Sequence, residues 1–318
     1  MSSVICTLFE SHYHYGVVAL TNSLYKNGFK GVIYAGYRGK LPDWANAAVS
    51  DNNVKWNGSR TLRVSNLLTI HFLPVNTDSH FTNYKPEFIL KVWDLCNDQH
   101  HITGIFYFDP DIIIKCKWDF YETWITYGVA LVHEIVWNDM PPTHPKRQQW
   151  LKIASEMGFK VNNQLNSLIN AGFIGISRNR MGFIKLWRDL IDYSFKNYAF
   201  DKSRFAQSDL NSDIFLVGDQ DLLNLTAMCT DEKLSEFGPD GMDFIGGGWL
   251  MSHATGSIKP WRKTFLLTIL NGLPPSSADK EYWFNVNGPV HTFTSAQVKV
   301  KRLSILIASF IGRFYQKN

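Results

Sequence analysis

The segment Phe106-Tyr-Phe-Asp109-Pro-Asp111-Ile-Ile-Ile sets two carboxylates two residues apart between apolar runs. Residues at i and i+2 of an extended chain point to the same side, and Pro110 biases Asp109 toward extension. Carboxylates placed this way suit a divalent cation, which in turn takes phosphate oxygens. The competing reading is a turn in which Asp accepts from backbone amides. A second segment reads His253-Ala-Thr-Gly256-Ser-Ile-Lys259-Pro-Trp261. It offers an imidazole, a glycine that permits close backbone approach and an ammonium that holds phosphate as a point charge. An imidazole added to two carboxylates favours a borderline ion such as Mn²⁺ over Ca²⁺; a histidine satisfied inside the core is the alternative. Asn170-Ala171-Gly places a side-chain amide just before a predicted strand. Gly218-Asp219-Gln220-Asp221 opens a predicted helix, where Asp is also a favoured N-cap.

Alternating elements must position these groups. Apolar runs predict strands over 4–9, 31–37, 67–75 and 104–108, with helical spacing over 15–27 and 84–98 between them. Strands separated by helices imply a mostly parallel sheet covered on both faces, and such sheets bind ligands beyond the carboxyl ends of their strands. The second half is less regular. A Pro-rich polar stretch over 139–150 predicts an excursion across the sheet, followed by helices over 148–157, 181–196 and 220–229. A strand is predicted over 173–177, and the glycine-rich run 246–253 leads into another. Neither a P-loop nor a G-x-G-x-x-G after a strand is present, so those nucleotide-binding readings lack their signature.

Taken in order, strand–Asp-Pro-Asp, Asn-Ala-Gly, Asp-Gln-Asp and His-x-x-Gly-x-x-Lys-Pro-Trp resemble the family-8 retaining glycosyltransferases, among them bacterial lipopolysaccharide galactosyl- and glucosyltransferases. The resemblance spans roughly residues 4–263. It implies a GT-A fold, an α/β architecture with a mostly parallel central sheet, and a UDP-sugar donor. Mn²⁺, with Mg²⁺ as the alternative, would be held by Asp109, Asp111 and His253. Donor contacts would come from Thr7, Tyr13, Lys85, Asn170, Ala171, Gly256 and Lys259, while Gln220 and Asp219 would lie at the reacting sugar carbon. The implied reaction moves a hexose to a saccharide or glycolipid acceptor with retention, as in bacterial surface polysaccharide synthesis. Two segments depart from the family pattern: Glu10-Ser-His12-Tyr13 stands where Asp and Asn usually precede the Tyr, and Tyr84-Lys85-Pro86 replaces Tyr-x-Arg.

The chain has 318 residues, 45% of them hydrophobic and 19% charged, which excludes disordered and collagenous classes. Its net charge of +4 is concentrated in residues 296–318, which hold Lys299, Lys301, Arg302, Arg313 and Lys317 and no acid, leaving the rest at −1. The body therefore offers no general attraction for nucleic acid. Division into a transferase domain over 1–295 and a basic amphipathic helix over 296–318 follows. Leu303, Leu306, Ile307, Phe310 and Phe314 share one face of that helix, which suits either an anionic membrane surface or packing on the domain. No signal peptide is recognisable. Cys6, Cys96, Cys116 and Cys229 form no CxxC pair, so a cytoplasmic protein is expected, either soluble or peripheral on the inner membrane face. Trp137 and Trp150 suit either an acceptor sugar ring or the core. A sugar-nucleotide phosphoryl-transfer enzyme and a carbohydrate-binding scaffold remain alternative functions.

Overall fold

The computed structural model describes residues 2–96, 98–99, 101–136, 138–207 and 214–315. In chain order the first half contains β1 (Ser2–Glu10), α1 (His14–Lys26), β2 (Gly31–Arg38), β3 (Val49–Ser50), β4 (Arg60–Arg63), β5 (Leu68–Pro74), α2 (Phe81–Cys96), β6 (Ile102–Phe108), β7 (Ile112–Ile114), α3 (Trp118–Tyr127) and β8 (Val129–His133). The second half contains α4 (Pro145–Glu156), β9 (Ile169–Ser177), α5 (Gly182–Asn197), α6 (Gly218–Cys229), β10 (Leu234–Phe237), β11 (Met251–His253), α7 (Phe265–Leu270), α8 (Ser277–Asn285) and α9 (Ser295–Ile311).

Nine strands form one sheet in the order β10-β8-β9-β6-β1-β2-β5-β4-β3, and β7 pairs with β11 in a small second sheet. The centre, β6-β1-β2-β5, is parallel, with Val4 opposite Val32 and Ile105. β9 enters antiparallel between β6 and β8. Alternation along β1 divides the core. Val4, Cys6 and Leu8 face a cluster built with α2, α5 and α6, while Ile5 and Phe9 face one built with α1 and α3. Residues buried on both faces read as an apolar run, which is why β1 was legible as a strand.

Three boundaries differ from the sequence reading in ways that matter. α2 begins at Phe81 and carries Pro86 inside it; burial of Phe81, Tyr84 and Phe88 on one face outweighs the proline's bias against a helical Lys85. β9 begins at Ile169, so Asn170 and Ala171 lie within the strand rather than before it. Asp219 does not cap α6. Its N-cap position is Val217, without a side-chain bond, and Asp221 accepts from the Leu216 and Val217 amides instead.

A third core joins α7, α8 and α9 to α1 through Ala19, Phe265, Ile269, Trp283, Val298 and Ile305. Asn22 of α1 fastens this unit: its amide donates to the carbonyls of Val286 and Val290 and accepts from the Val290 N–H. Among the described residues no helix is long and apolar enough to cross a membrane.

Candidate functional site

Asp109 leaves the carboxyl end of β6, and its N–H donates to the Gly172 carbonyl at 2.7 Å. The chain turns through Pro110 into β7. Gly16 of α1 lies so close to the Pro110 carbonyl that any Cβ there would collide with it, so the first turn of α1 buttresses this corner. β7 then pairs antiparallel with β11, setting His253 opposite Ile112. That register, not chain proximity, delivers the imidazole. His253 Nε2 lies 3.3 Å from Asp111 Oδ1 and 3.9 Å from Asp109 Oδ2. One candidate ligand atom from each of the three residues falls within 4.8 Å of the others. His253 Nδ1 is buried without a partner among the described residues.

Two buried lysines flank the cluster. Lys259 Nζ donates to Asp111 Oδ2 at 2.6 Å and to the Ala254 carbonyl at 2.7 Å, with the Tyr13 ring 5.7 Å away. Trp261 Nε1 donates to His12 Nδ1 at 3.0 Å, which ties the lysine segment to the loop after β1. Lys85, 2% exposed, reaches the Asp109 carboxylate at 3.2 Å and Asp219 Oδ2 at 3.0 Å, and donates to the Ala171 carbonyl at 2.9 Å. Burial would lower the Lys85 ammonium pKa, but Asp109 and Asp219 outweigh burial and raise it. Burial works to raise the Asp111 carboxyl, yet His253 and Lys259 win and hold it well below the usual carboxylate range. At Asp109 burial dominates and raises the carboxyl despite Lys85, with Asp111 adding repulsion.

Two carboxylates and an imidazole converging on one point fit a divalent cation of borderline hardness. Asp219 joins Asp109 through Lys85, and its Oδ1 is buried without a partner among the described residues. The β9 residues line the same place. Asn170 donates to Glu134 Oε2 at 2.6 Å and accepts from the Gly172 N–H at 2.8 Å. Gln220 Oε1 accepts from the Ala171 N–H at 3.2 Å.

The structure thus links Asp109, Asp111, His253, Lys259, Lys85, Asp219, Ala171 and Gln220 by direct polar contacts. Tyr13 adjoins Lys259. Thr7 is buried on β1 with its hydroxyl unpartnered among the described residues, and Gly256 sits in an open loop with no atom crowding it. Trp150 is wholly buried and donates to the Ile214 carbonyl, which makes it a core residue and removes it from any acceptor surface. Trp137 lies outside the described residues. Two contributors were missed. Tyr107 donates its hydroxyl to Asp109 Oδ1 at 3.0 Å; its i, i+2 spacing from Asp109 on one strand was the available signal. Glu134, which orients Asn170, follows β8 in a loop and gave none.

Both segments that depart from the family pattern border this network: Lys85 lies in it, and Tyr13 adjoins it through Lys259. Glu10 is engaged by Arg38 at 3.2 Å, and Ser11 after it takes a left-handed φ of 50°. No protein-family model matches the sequence, and no curated sequence matches it. Its structure is similar to that of WbbM, a bifunctional glycosyltransferase, at 12% identity over 95% of this chain and 52% of that one, with a TM-score of 0.52. The chain spans about half the length of that protein. The galactosyltransferase LgtC, solved with donor and acceptor sugar analogues, is 14% identical over 94% of this chain and 99% of its own, with a TM-score of 0.49. GlyE, a glycosyltransferase of Streptococcus pneumoniae, is 14% identical over 96% of this chain and 64% of its own, at 0.48. With its helix-flanked sheet and the strand order above, the chain has the fold of the GT-A glycosyltransferases.

Proposed function

We propose that the protein is a metal-dependent retaining glycosyltransferase, moving a hexose from a UDP-sugar to a saccharide or glycolipid acceptor in surface polysaccharide synthesis. The observation that supports this most is the convergence of Asp109, Asp111 and His253 beside two buried lysines, within a glycosyltransferase fold. Transfer is assigned to residues 1–295.

A divalent ion held by Asp109, Asp111 and His253, Mn²⁺ in this reading, supplies Lewis-acid stabilisation of charge on a departing diphosphate. The chain's own groups do the rest. Lys259, fixed between Asp111 and the Ala254 carbonyl, adds a second positive contact to the diphosphate. A preorganised contact of this type is worth about 3–4 kcal/mol in the transition state, roughly 10²–10³ in rate. Tyr13, beside Lys259, offers a ring face to the base. Lys85 holds Asp109 and Asp219 in a fixed relation, so the acid that orients the sugar and the acid that holds the metal keep one geometry. Gln220, pinned by the Ala171 amide at the start of α6, is assigned to the sugar carbon in this reading. The donor C1–oxygen bond breaks and the acceptor oxygen bonds to C1 on the same face. The acceptor proton passes to the leaving phosphate oxygen, so no protein base is needed.

Incubation with a panel of UDP-sugars, Mn²⁺ and saccharide acceptors tests the reading by its products. The account predicts UDP and a glycoside whose NMR anomeric signals match the donor configuration, with loss of turnover on chelation. With pyrophosphate added, UTP and sugar 1-phosphate would instead indicate phosphoryl transfer, and an absence of UDP release with every donor would indicate a binding protein.

A further inference from the structure

A cavity of about 600 Å³ opens between α2, the segments that end β2 and β5, and the loop joining β3 to β4. None of its lining residues belongs to the metal network described above. It lies at the carboxyl ends of two parallel strands, the edge where such sheets take ligands. The Val75 N–H donates to the Tyr37 carbonyl at 2.8 Å, which sets the two strand ends side by side. Trp56 comes from the β3–β4 loop. Its Nε1 donates to the Pro74 carbonyl at 2.8 Å and its ring meets Phe88 edge-on at 6.0 Å, so the indole is held in one plane. Tyr84 of α2 also lines the cavity, and its hydroxyl accepts from Lys91 Nζ at 2.9 Å, which orients that ammonium. Tyr37 Oη and the side-chain amides of Asn57 and Asn76 line it too, with no hydrogen bond to another described residue.

Fixed aromatic rings beside uncommitted amide and hydroxyl groups suit a sugar. The C–H face of a pyranose packs on a ring, and its hydroxyls exchange hydrogen bonds with the polar groups. Charge narrows the class. Lys55 and Lys91 line the cavity and no acid does. Glu87 reaches Lys91 at 3.3 Å and Asp98 reaches Lys55 at 3.5 Å, but both pairs are exposed, and pairs of that kind are weak. Both ammonium groups are therefore open to a better-placed anion. We propose that this cavity is a second saccharide site, which takes a pyranose carrying a carboxylate or phosphate group. The sugar ring packs on Trp56, the amides of Asn57 and Asn76 meet its hydroxyls, and Lys91 pairs with the anionic group. Binding here needs neither metal nor nucleotide, so the inference does not rest on the transfer reaction.

Saturation-transfer NMR on the full chain, with EDTA present and no nucleotide, tests it. Glucuronate and glucose 6-phosphate are compared with glucose and with inorganic phosphate. Two variants accompany the wild type, Lys91→Glu at an exposed position and Trp56→Ala at a half-buried one, with folding checked by melting temperature. Wild type should bind at least one anionic sugar about tenfold more tightly than glucose, and the tighter of the two names the anionic group. Lys91→Glu should lose that preference, and Trp56→Ala should weaken all three sugars. Should Trp56→Ala fail to fold, Lys91→Glu decides alone. Glucose binding as tightly as both anionic sugars would overturn the proposal, as would Lys91→Glu binding like wild type. Inorganic phosphate binding as tightly as the preferred sugar would show that no ring is recognised and would overturn it too. The readout needs no turnover, so a failure of the transfer reading would leave this result standing.

Discussion

Gly172 controls how closely the His253 ring can approach the two carboxylates. A methyl group at this position would overlap the imidazole Cε1 and crowd Asn170 Oδ1. Gly172→Ala should therefore push the ring away from Asp111 and weaken Mn²⁺ binding by roughly 10–100-fold, the usual effect of disturbing a ligand's support. Calorimetric titration would show this; unchanged affinity would mean the ring does not contribute to a metal site. At this scale the sequence revealed groups close in the chain. Asp109 and Asp111 were legible through their alternation, and Lys259 through its spacing from His253. Lys85 was not legible as a bridge, because its partners Asp109 and Asp219 come from a strand end and a helix start that meet only in the folded state. Its substitution for the family arginine marks the place without revealing the bond.

Helix α6 shows how an element's end sets the behaviour of a buried acid. Asp221 Oδ2 accepts from the Leu216 and Val217 amides at 2.6 and 3.2 Å. Burial nevertheless pushes its carboxyl from 3.8 up to about 7, the two amides opposing. Because the folded value lies above the unfolded one, the folded state retains a proton that the unfolded chain releases. The associated stability is fully present below about pH 4 and is lost as pH rises through about 7. Melting temperature should thus fall between about pH 5 and about pH 8 in wild type and fall less in Asp221→Asn, which keeps an acceptor but cannot ionise. Matching pH profiles would contradict the assignment. The acid run at 219–221 was legible as a helix start, yet which acid serves the backbone was not. That choice depends on Asp219 being drawn to Lys85. Strand pairing was similarly hidden: the hydrophobic pattern predicted β6 and most of β9, but nothing local told that β9 would run antiparallel between β6 and β8.

At the scale of the whole molecule, α9 completes the third core rather than trailing from the fold. Val298, Ile305 and Ala308 are buried against α7 and α8, and Arg302 donates to the Trp283 carbonyl at 2.9 Å. Burying one Val or Ile side chain contributes about 1.5–3 kcal/mol, so removing residues 296–318 should destabilise the protein by about 3–6 kcal/mol. Denaturant unfolding would register the loss, and an unchanged midpoint would show that the helix packs too weakly to belong to the core. The terminal helix was legible from its spacing, whereas the place of α7 in that core was not, since a run as short as 265–270 carries no clear period. The central claim is that stretches far apart in the chain converge on one cation. An electron paramagnetic resonance titration with Mn²⁺, run with UDP present, tests it most directly. The account predicts a single bound ion per wild-type chain and none on Asp111→Asn; equal binding by both proteins, or none by wild type, would contradict it.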